Sequence, residues 1–223
     1  MTQPDLDADR DRALALTPVS RETLARLDRF VALLLDTQSH TNLIGAATIP
    51  ELWTRHIADS LQLLDLAPDA KTWLDLGSGA GFPGLVIACA LADLPGATVH
   101  LVESTGKKAA FLRTVAETLA LPATVDHIRA ERISPQSSVQ VITARAVAPL
   151  PKLFGYVAPV LKSGAKALLL KGQDVEAELT EAAKYWKIEA DLVASRTSPA
   201  GRIVVVRALT RRQRSADRER TLP

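Results

Sequence analysis

Apolar residues along this chain change their period partway. Leu24, Leu27, Val31 and Leu34 recur at three- and four-residue spacing, and Thr17-Pro18 suits a helix start, so the pattern predicts an amphipathic helix over roughly 20–38. A short loop, 40–47, leads to a second start signal at Thr48-Ile49-Pro50. After it Leu52, Trp53, His56, Ile57, Ser60, Leu61 and Leu64 share one helical face. Residues 17–68 therefore read as a helical segment. From Lys71 onward short apolar runs take over: TWLDLG, TVHLVE, ATVDHI, VQVITAR, AKALLLK and RIVVVRAL are strand candidates, with helices predicted over about 82–94, 105–120, 150–161 and 174–186. This alternation implies βαβ units and a largely parallel sheet covered on both faces, an α/β domain over 69–210. Lys187 to Ser195 and Gly201 to Leu209, separated by the turn-rich stretch 196–200, predict a closing antiparallel hairpin.

Neither end of the chain shows an apolar period. Residues 1–16 are polar and acidic and read as a disordered arm, and residues 211–223 read as an Arg-rich tail. The tail matters to the charge. The chain carries 27 basic against 25 acidic side chains, and residues 211–223 hold five arginines against Asp217 and Glu219, which leaves −1 for everything before them. Any nucleic-acid site in the body is then a local patch and not a global field. With 47% hydrophobic and 23% charged residues the chain can bury a core. A single cysteine, Cys89, and four scattered histidines offer neither an internal disulfide nor a metal-ligand spacing, so no metal is expected. The start of the chain resembles neither a secretory nor a transit peptide, and the longest apolar run, 85–92, is far short of the ~20 residues that cross a bilayer. A cytoplasmic protein without membrane contact is expected.

The most informative stretch is Trp73-Leu-Asp-Leu-Gly-Ser-Gly-Ala-Gly-Phe-Pro-Gly84, where an apolar strand runs into Gly77, Gly79, Gly81 and Gly84. Glycines between a strand and a helix allow positive φ and let a ligand approach bare backbone at a helix start. A tight turn would rarely need four of them. Gly79-x-Gly81-x-x-Gly84 also fits a dinucleotide fingerprint, so a nicotinamide-dependent oxidoreductase stands as an alternative. Asp75, two residues before the first glycine, favours S-adenosylmethionine, because a carboxylate there would face a cationic amino acid moiety and repel a pyrophosphate. Glu103, ending TVHLVE, is placed to accept hydrogen bonds from two ribose hydroxyls and serves either cofactor.

LDLGSGAGFPG resembles motif I of Rossmann-like methyltransferases. Together with NLIG (42–45), RHIADSL (55–61), VESTGKKAAFLR (102–113), RAER (129–132), ARAVAPL (144–150) and LLLKGQ (168–173), it resembles the bacterial 16S rRNA guanine-N7 methyltransferases of the small ribosomal subunit, the glucose-inhibited division protein B family. The likeness spans about residues 20–208. It implies a class I Rossmann-like methyltransferase fold, a mostly parallel sheet with an antiparallel closing hairpin, plus an N-terminal helical extension. It further implies methyl transfer from S-adenosylmethionine to N7 of a guanine in the 530 loop of 16S rRNA, near the decoding centre. The partner would be 16S rRNA or the 30S subunit, and the enzyme a monomer. Cofactor contacts carried over by the resemblance fall on Gly77, Phe82, Ala130, Glu131 and Arg145, with Glu103 at the ribose position.

Guanine N7 has a lone pair and no proton, so transfer to it needs in-line positioning and no general base. The fourth strand accordingly ends in Thr143-Ala144-Arg145-Ala146, without the Asn/Asp-Pro-Pro-aromatic motif of enzymes that methylate exocyclic amines. Cys89 in the apolar helix LVIACALA reads as core, which argues against a covalent cysteine adduct. Arg145 and Lys171 end strands at the edge where doubly wound folds bind ligands; Arg145 is expected against the cofactor and Lys171 on an rRNA phosphate. His56 is a third candidate for the reaction centre, with helix packing as its alternative. Arg55, His56, Lys107, Lys108, Arg113 and Lys171 are the candidate RNA contacts, although the lysines of 107–108 and Arg113 would also suit a solvated helix face. A noncatalytic rRNA-binding assembly factor is the remaining alternative.

Overall fold

The computed structural model describes residues 6–133, 138–161 and 164–212. Seven strands form one sheet among them: β1 (Thr72–Leu76), β2 (Thr98–Val102), β3 (Ala123–Asp126), β4 (Val141–Arg145), β5 (Lys166–Lys171), β6 (Trp186–Ala194) and β7 (Arg202–Arg211). Their order is β3-β2-β1-β4-β5-β7-β6, parallel throughout except that β7 runs antiparallel to both β5 and β6. The mostly parallel sheet and the antiparallel closing hairpin are as the sequence predicts. From β1 the chain builds outward through β2 to β3, then returns to place β4 on the other side of β1. That reversal opens a crevice at the carboxyl ends of β1 and β4, where such sheets bind ligands.

Helices α4 (Gly84–Leu91), α5 (Gly106–Thr118), α6 (Leu150–Leu161) and α7 (Val175–Ala183) connect the strands. The last is shorter than predicted, because Trp186 already belongs to β6, where its ring meets Phe154 edge-on at 6.5 Å between centroids. Two apolar clusters fill the molecule. One holds Leu74, Leu76, Ile142, Leu153, Phe154 and Leu169; the other joins Trp73, Leu85 and Leu101 to Leu27, Phe30, Leu34 and Trp53 of the N-terminal helices.

That second cluster explains α4. Its sequence, GLVIACAL, is apolar all round and all but one residue is buried, so one sheet face cannot cover it. Helices α2 (Arg21–Gln38) and α3 (Asp59–Asp65) supply the missing layer by packing on its outer side. Cys89 lies at this junction, fully buried, with its thiol pushed up to about 12 by desolvation, in keeping with a core role. No described helix is long and apolar enough to cross a membrane.

The acidic arm is a correction. Residues 7–16 form helix α1 (Asp7–Leu16), docked rather than loose, even though its sequence lacks an apolar period. Polar bonds hold it. Asp9, 1% exposed, accepts from the Trp53 and Thr54 backbone N–H groups at 2.8 and 3.2 Å and from Thr54 Oγ1 at 2.6 Å. Arg10 pairs with Asp28 at 2.7 Å and lies 5.4 Å over the Trp53 ring. The single helix expected from the start signal at Thr48-Ile49-Pro50 is in fact broken into a 3₁₀ turn (Ala46–Glu51) around Pro50, a π-helical turn (Trp53–Ala58) and α3. At the other end Arg211 closes β7 and the Arg212 N–H donates to Tyr185 O at 2.8 Å, so the first two residues assigned to the tail belong to the fold; residues 213–223 lie outside the described residues.

Candidate active site

The strand-to-helix turn after β1 depends on backbone that only glycine adopts easily. Gly77 has φ of +68°, and a Cβ built there would lie 2.6 Å from Val147 Cγ2. Gly79 has φ of +57° but faces open space, where a Cβ would meet nothing closer than Gly77 O at 3.8 Å. The loop thus closes on the protein at Gly77 and opens toward solvent at Gly79. It borders a cavity of about 340 Å³ at the carboxyl ends of β1, β2 and β4. Gly77, Ser78, Gly79, Ala80 and Phe82 form one wall, Glu103, Ser104 and Lys108 a second, and Leu43, Ile44, Arg145, Ala146 and Val147 a third.

Asp75 is not at this surface. It is 1% exposed, and its carboxylate accepts from Gly84 N–H at 3.1 Å and Thr143 Oγ1 at 2.8 Å. The sequence places it against a cationic ligand; the structure uses it to tie β1, β4 and the start of α4 together behind the glycine loop. Burial pushes its carboxyl up to about 6, against the stabilising bonds from Thr143, Ser78 and Gly84. A Cβ on Gly84 would sit 2.7 Å from Asp75 Oδ2, so this glycine serves close helix-to-strand packing.

Glu103 does line the cavity. Its Oε2 accepts from Gly79 N–H at 2.9 Å and its Oε1 from Thr105 N–H at 2.6 Å. Each carboxylate oxygen keeps a second lone pair, so the group can still accept from two hydroxyls while its orientation is fixed.

Arg145 reaches in from the end of β4. Its Nη1 donates to Arg55 O at 3.1 Å, lies 3.7 Å from Asp59 Oδ2, and its guanidinium stands 5.2 Å over the Phe82 ring. Burial lowers its pKa, opposed by Asp59 and Asp75. Asp59 is held in turn, by Thr197 Oγ1 at 2.7 Å and Gln62 Nε2 at 2.8 Å, which clamp the β6–β7 connection onto α3. His56 also stacks on Phe82, 4.9 Å between centroids and 22° between planes. His56 is 7% exposed, and desolvation together with Arg145 and Arg55 lowers its pKa to about 3. Its Nε2 lies 3.0 Å from Thr48 Oγ1, which donates its own hydrogen to Gly45 O at 2.8 Å, so Nε2 carries the ring proton. His56 packs the floor under Phe82 and offers RNA no surface.

Lys171 is a second correction. Its Nζ pairs with Glu178 at 2.7 Å and donates to Ala148 O at 3.2 Å, with the side chain only 11% exposed. A lysine so engaged presents no charge to a phosphate. Of the other expected RNA contacts, Lys108 lines the cavity, Lys107 and Arg55 are exposed, and Arg113 donates to Val125 O at 3.3 Å from an exposed position. Ala130 and Glu131 occupy a 3₁₀ turn outside the cavity lining, where Glu131 accepts from Tyr156 Oη at 2.8 Å.

Leu43, Ile44, Ser104, Ala146 and Val147 are cavity residues that their chemistry alone does not announce. Leu43 and Ile44 are held there by Gln38, whose Oε1 accepts from both of their N–H groups at 2.8 and 3.0 Å while its Nε2 donates to Ile44 O at 3.0 Å. No group of three or more His, Cys, Asp or Glu side chains that could hold a metal stands among the described residues.

Known proteins share this fold and this sequence. A SAM-dependent methyltransferase from Aquifex aeolicus superimposes with a TM-score of 0.55 at 15% identity, over 70% of this chain and 92% of that one. M. jannaschii TYW2, solved with AdoMet, does so with a TM-score of 0.51 at 13% identity, over 71% and 76%. The ribosomal RNA small subunit methyltransferase G of Bradyrhizobium sp. (strain BTAi1 / ATCC BAA-1182) is 61% identical over 92% of this chain and 93% of its own length. That of Rhodopseudomonas palustris (strain BisA53) is 59% identical over 90% and 87%. Residues 23–210 match the family model GidB, rRNA small subunit methyltransferase G, and with these relatives the match shows that the chain belongs to that family.

Proposed function

We propose that this protein transfers a methyl group from S-adenosylmethionine to N7 of a guanine in the 530 loop of 16S rRNA. The observation that carries the reading is the cavity itself, in which a glycine loop open at Gly79 faces the fixed carboxylate of Glu103. A volume of about 340 Å³ suits a nucleoside-sized ligand, since small-molecule sites run from roughly 300 to 1,000 Å³. Glu103 retains two acceptor positions for a ribose diol. The amino acid end of the cofactor fits the opposite wall, where Arg145 can offer its remaining N–H donors to a carboxylate. The bound cofactor supplies an electrophilic methyl on sulfur.

The chain's own residues favour an acceptor that brings no proton to remove. Among the described cavity-lining residues the one carboxylate is Glu103, already holding two backbone N–H groups, and no histidine lines the cavity. Asp59 beside Arg145 offsets the guanidinium, which limits the repulsion felt by the positive charge that grows on a guanine attacked at N7. Lys108, at the rim, is the best placed of the expected RNA contacts to hold a phosphate of the target strand. The enzyme would act as a cytoplasmic monomer on 16S rRNA or the 30S subunit. Incubation with tritiated S-adenosylmethionine and each substrate, followed by mass spectrometry of the rRNA, should place one 7-methylguanine in the 530 loop. Methyl on another atom, or none on either substrate, would contradict the reading.

A further inference from the structure

The link from β4 to α6 carries backbone strain at the cavity wall. Ala146 holds φ at +55°, a left-handed conformation costly for a residue with a Cβ, and such residues persist where their surroundings over-determine them. On the cavity side Val147 closes against the glycine loop, leaving no room for a Cβ at Gly77. Behind the link, Lys171 Nζ donates to Ala148 O at 3.2 Å and pairs with Glu178 Oε2 at 2.7 Å, and that same oxygen accepts from Leu150 N–H at 2.6 Å. One ion pair, with a partner each from β5 and α7, therefore grips a carbonyl and an amide two residues apart. Its side chains are 11% and 23% exposed, so water and salt screen it weakly.

We propose that Lys171 and Glu178 are positioning residues for methyl transfer, a buckle that fixes 146–150 so that Ala146 and Val147 hold the acceptor base in line with the transferred methyl. This rests on reading the cavity as the methyl-transfer site. Neither residue touches the reacting atoms. Their effect passes through the loop, where a displacement of about 1 Å is enough to cost on the order of a hundredfold in rate.

Three variants test it. Lys171→Met removes the charge at similar length, Glu178→Gln is isosteric, and Lys171→Arg keeps the charge. Lys171→Met and Glu178→Gln should each lower kcat by at least about tenfold, leave the rRNA KM and the salt slope of RNA binding unchanged, and speed amide exchange at residues 147–150. Lys171→Arg should recover most of the turnover. The double variant should be no slower than the worse single one, because both break the same unit. A salt slope smaller by about one with kcat retained would make Lys171 a phosphate contact and overturn the proposal. So would unchanged kcat despite faster exchange. If Lys171→Met fails to fold, Glu178→Gln reads the same quantities. If the wild-type enzyme methylates a different atom, kcat for that reaction is compared instead, so the two readings fail separately.

Discussion

Two buried groups near the glycine loop respond to acid in opposite directions. Asp75 titrates at about 6 in the folded chain against 3.8 when exposed, so the folded state binds the extra proton between those values and loses stability as pH rises through them. His56 titrates at about 3 against 6.5, so the unfolded state binds the extra proton and stability is lost as pH falls through that window. From pH 4 to 6 the two slopes, each up to about 1.4 kcal/mol per pH unit, oppose one another. Urea midpoints of Asp75→Asn should therefore rise more steeply with pH over this range than those of the wild type. His56→Phe, which keeps the stack on Phe82, should show midpoints that fall with pH. Parallel profiles for all three proteins would contradict both assignments. Asp75 also shows where residue-level reading stops. Its place before the glycines was legible, but whether a strand residue faces a ligand or the space behind the loop depends on which side of the sheet is open, and that is set by elements distant in sequence.

At the scale of elements, helices α2 and α4 to α7 and all seven strands were legible, because their apolar residues recur at helix or strand spacing or stand in short runs bounded by turns. Helix α1 was not, because it is attached by charge and hydrogen bonds instead of an apolar stripe. Asp9 works as an N-terminal cap supplied from another helix, meeting backbone donors that the turn at Trp53–Ala58 leaves open. Asp9→Ala should destabilise the protein by about 1–3 kcal/mol, read as a lower urea midpoint, since two backbone N–H groups and the Thr54 hydroxyl lose their acceptor. Arg12→Ala should change it by less than about 0.5 kcal/mol, because the Arg12 side chain is 62% exposed and its pair with Asp9 is screened. Equal effects from the two variants would show that the ion pair, not the cap, secures the helix.

Across the whole molecule, the site is a product of strand order. The glycine loop follows β1, Glu103 follows β2 and Arg145 ends β4, and the β1–β4 reversal brings the carboxyl ends of these strands to one crevice. Neither periodicity nor composition states a strand order, so that reversal was not legible in the sequence. Charge is the other property of the whole, and here the structure narrows the expectation. Lys171 is tied up and His56 buried, which leaves Lys107 and Lys108, on α5 beside the cavity, as the best placed local cations for RNA. Arg145 lines the opposite wall, where the proposed site for the amino acid end of the cofactor lies. Lys107→Ala with Lys108→Ala should weaken rRNA binding and flatten the plot of log affinity against log salt by about one to two, while S-adenosylhomocysteine binding changes less than about twofold. Arg145→Ala should do the reverse, lowering cofactor affinity and turnover together and leaving the salt slope within error. Calorimetry with S-adenosylhomocysteine and a salt series of rRNA titrations separate the two. If the lysine variant binds RNA with an unchanged slope, the RNA approaches from another side of the cavity, and the rim around Arg55 becomes the surface to probe.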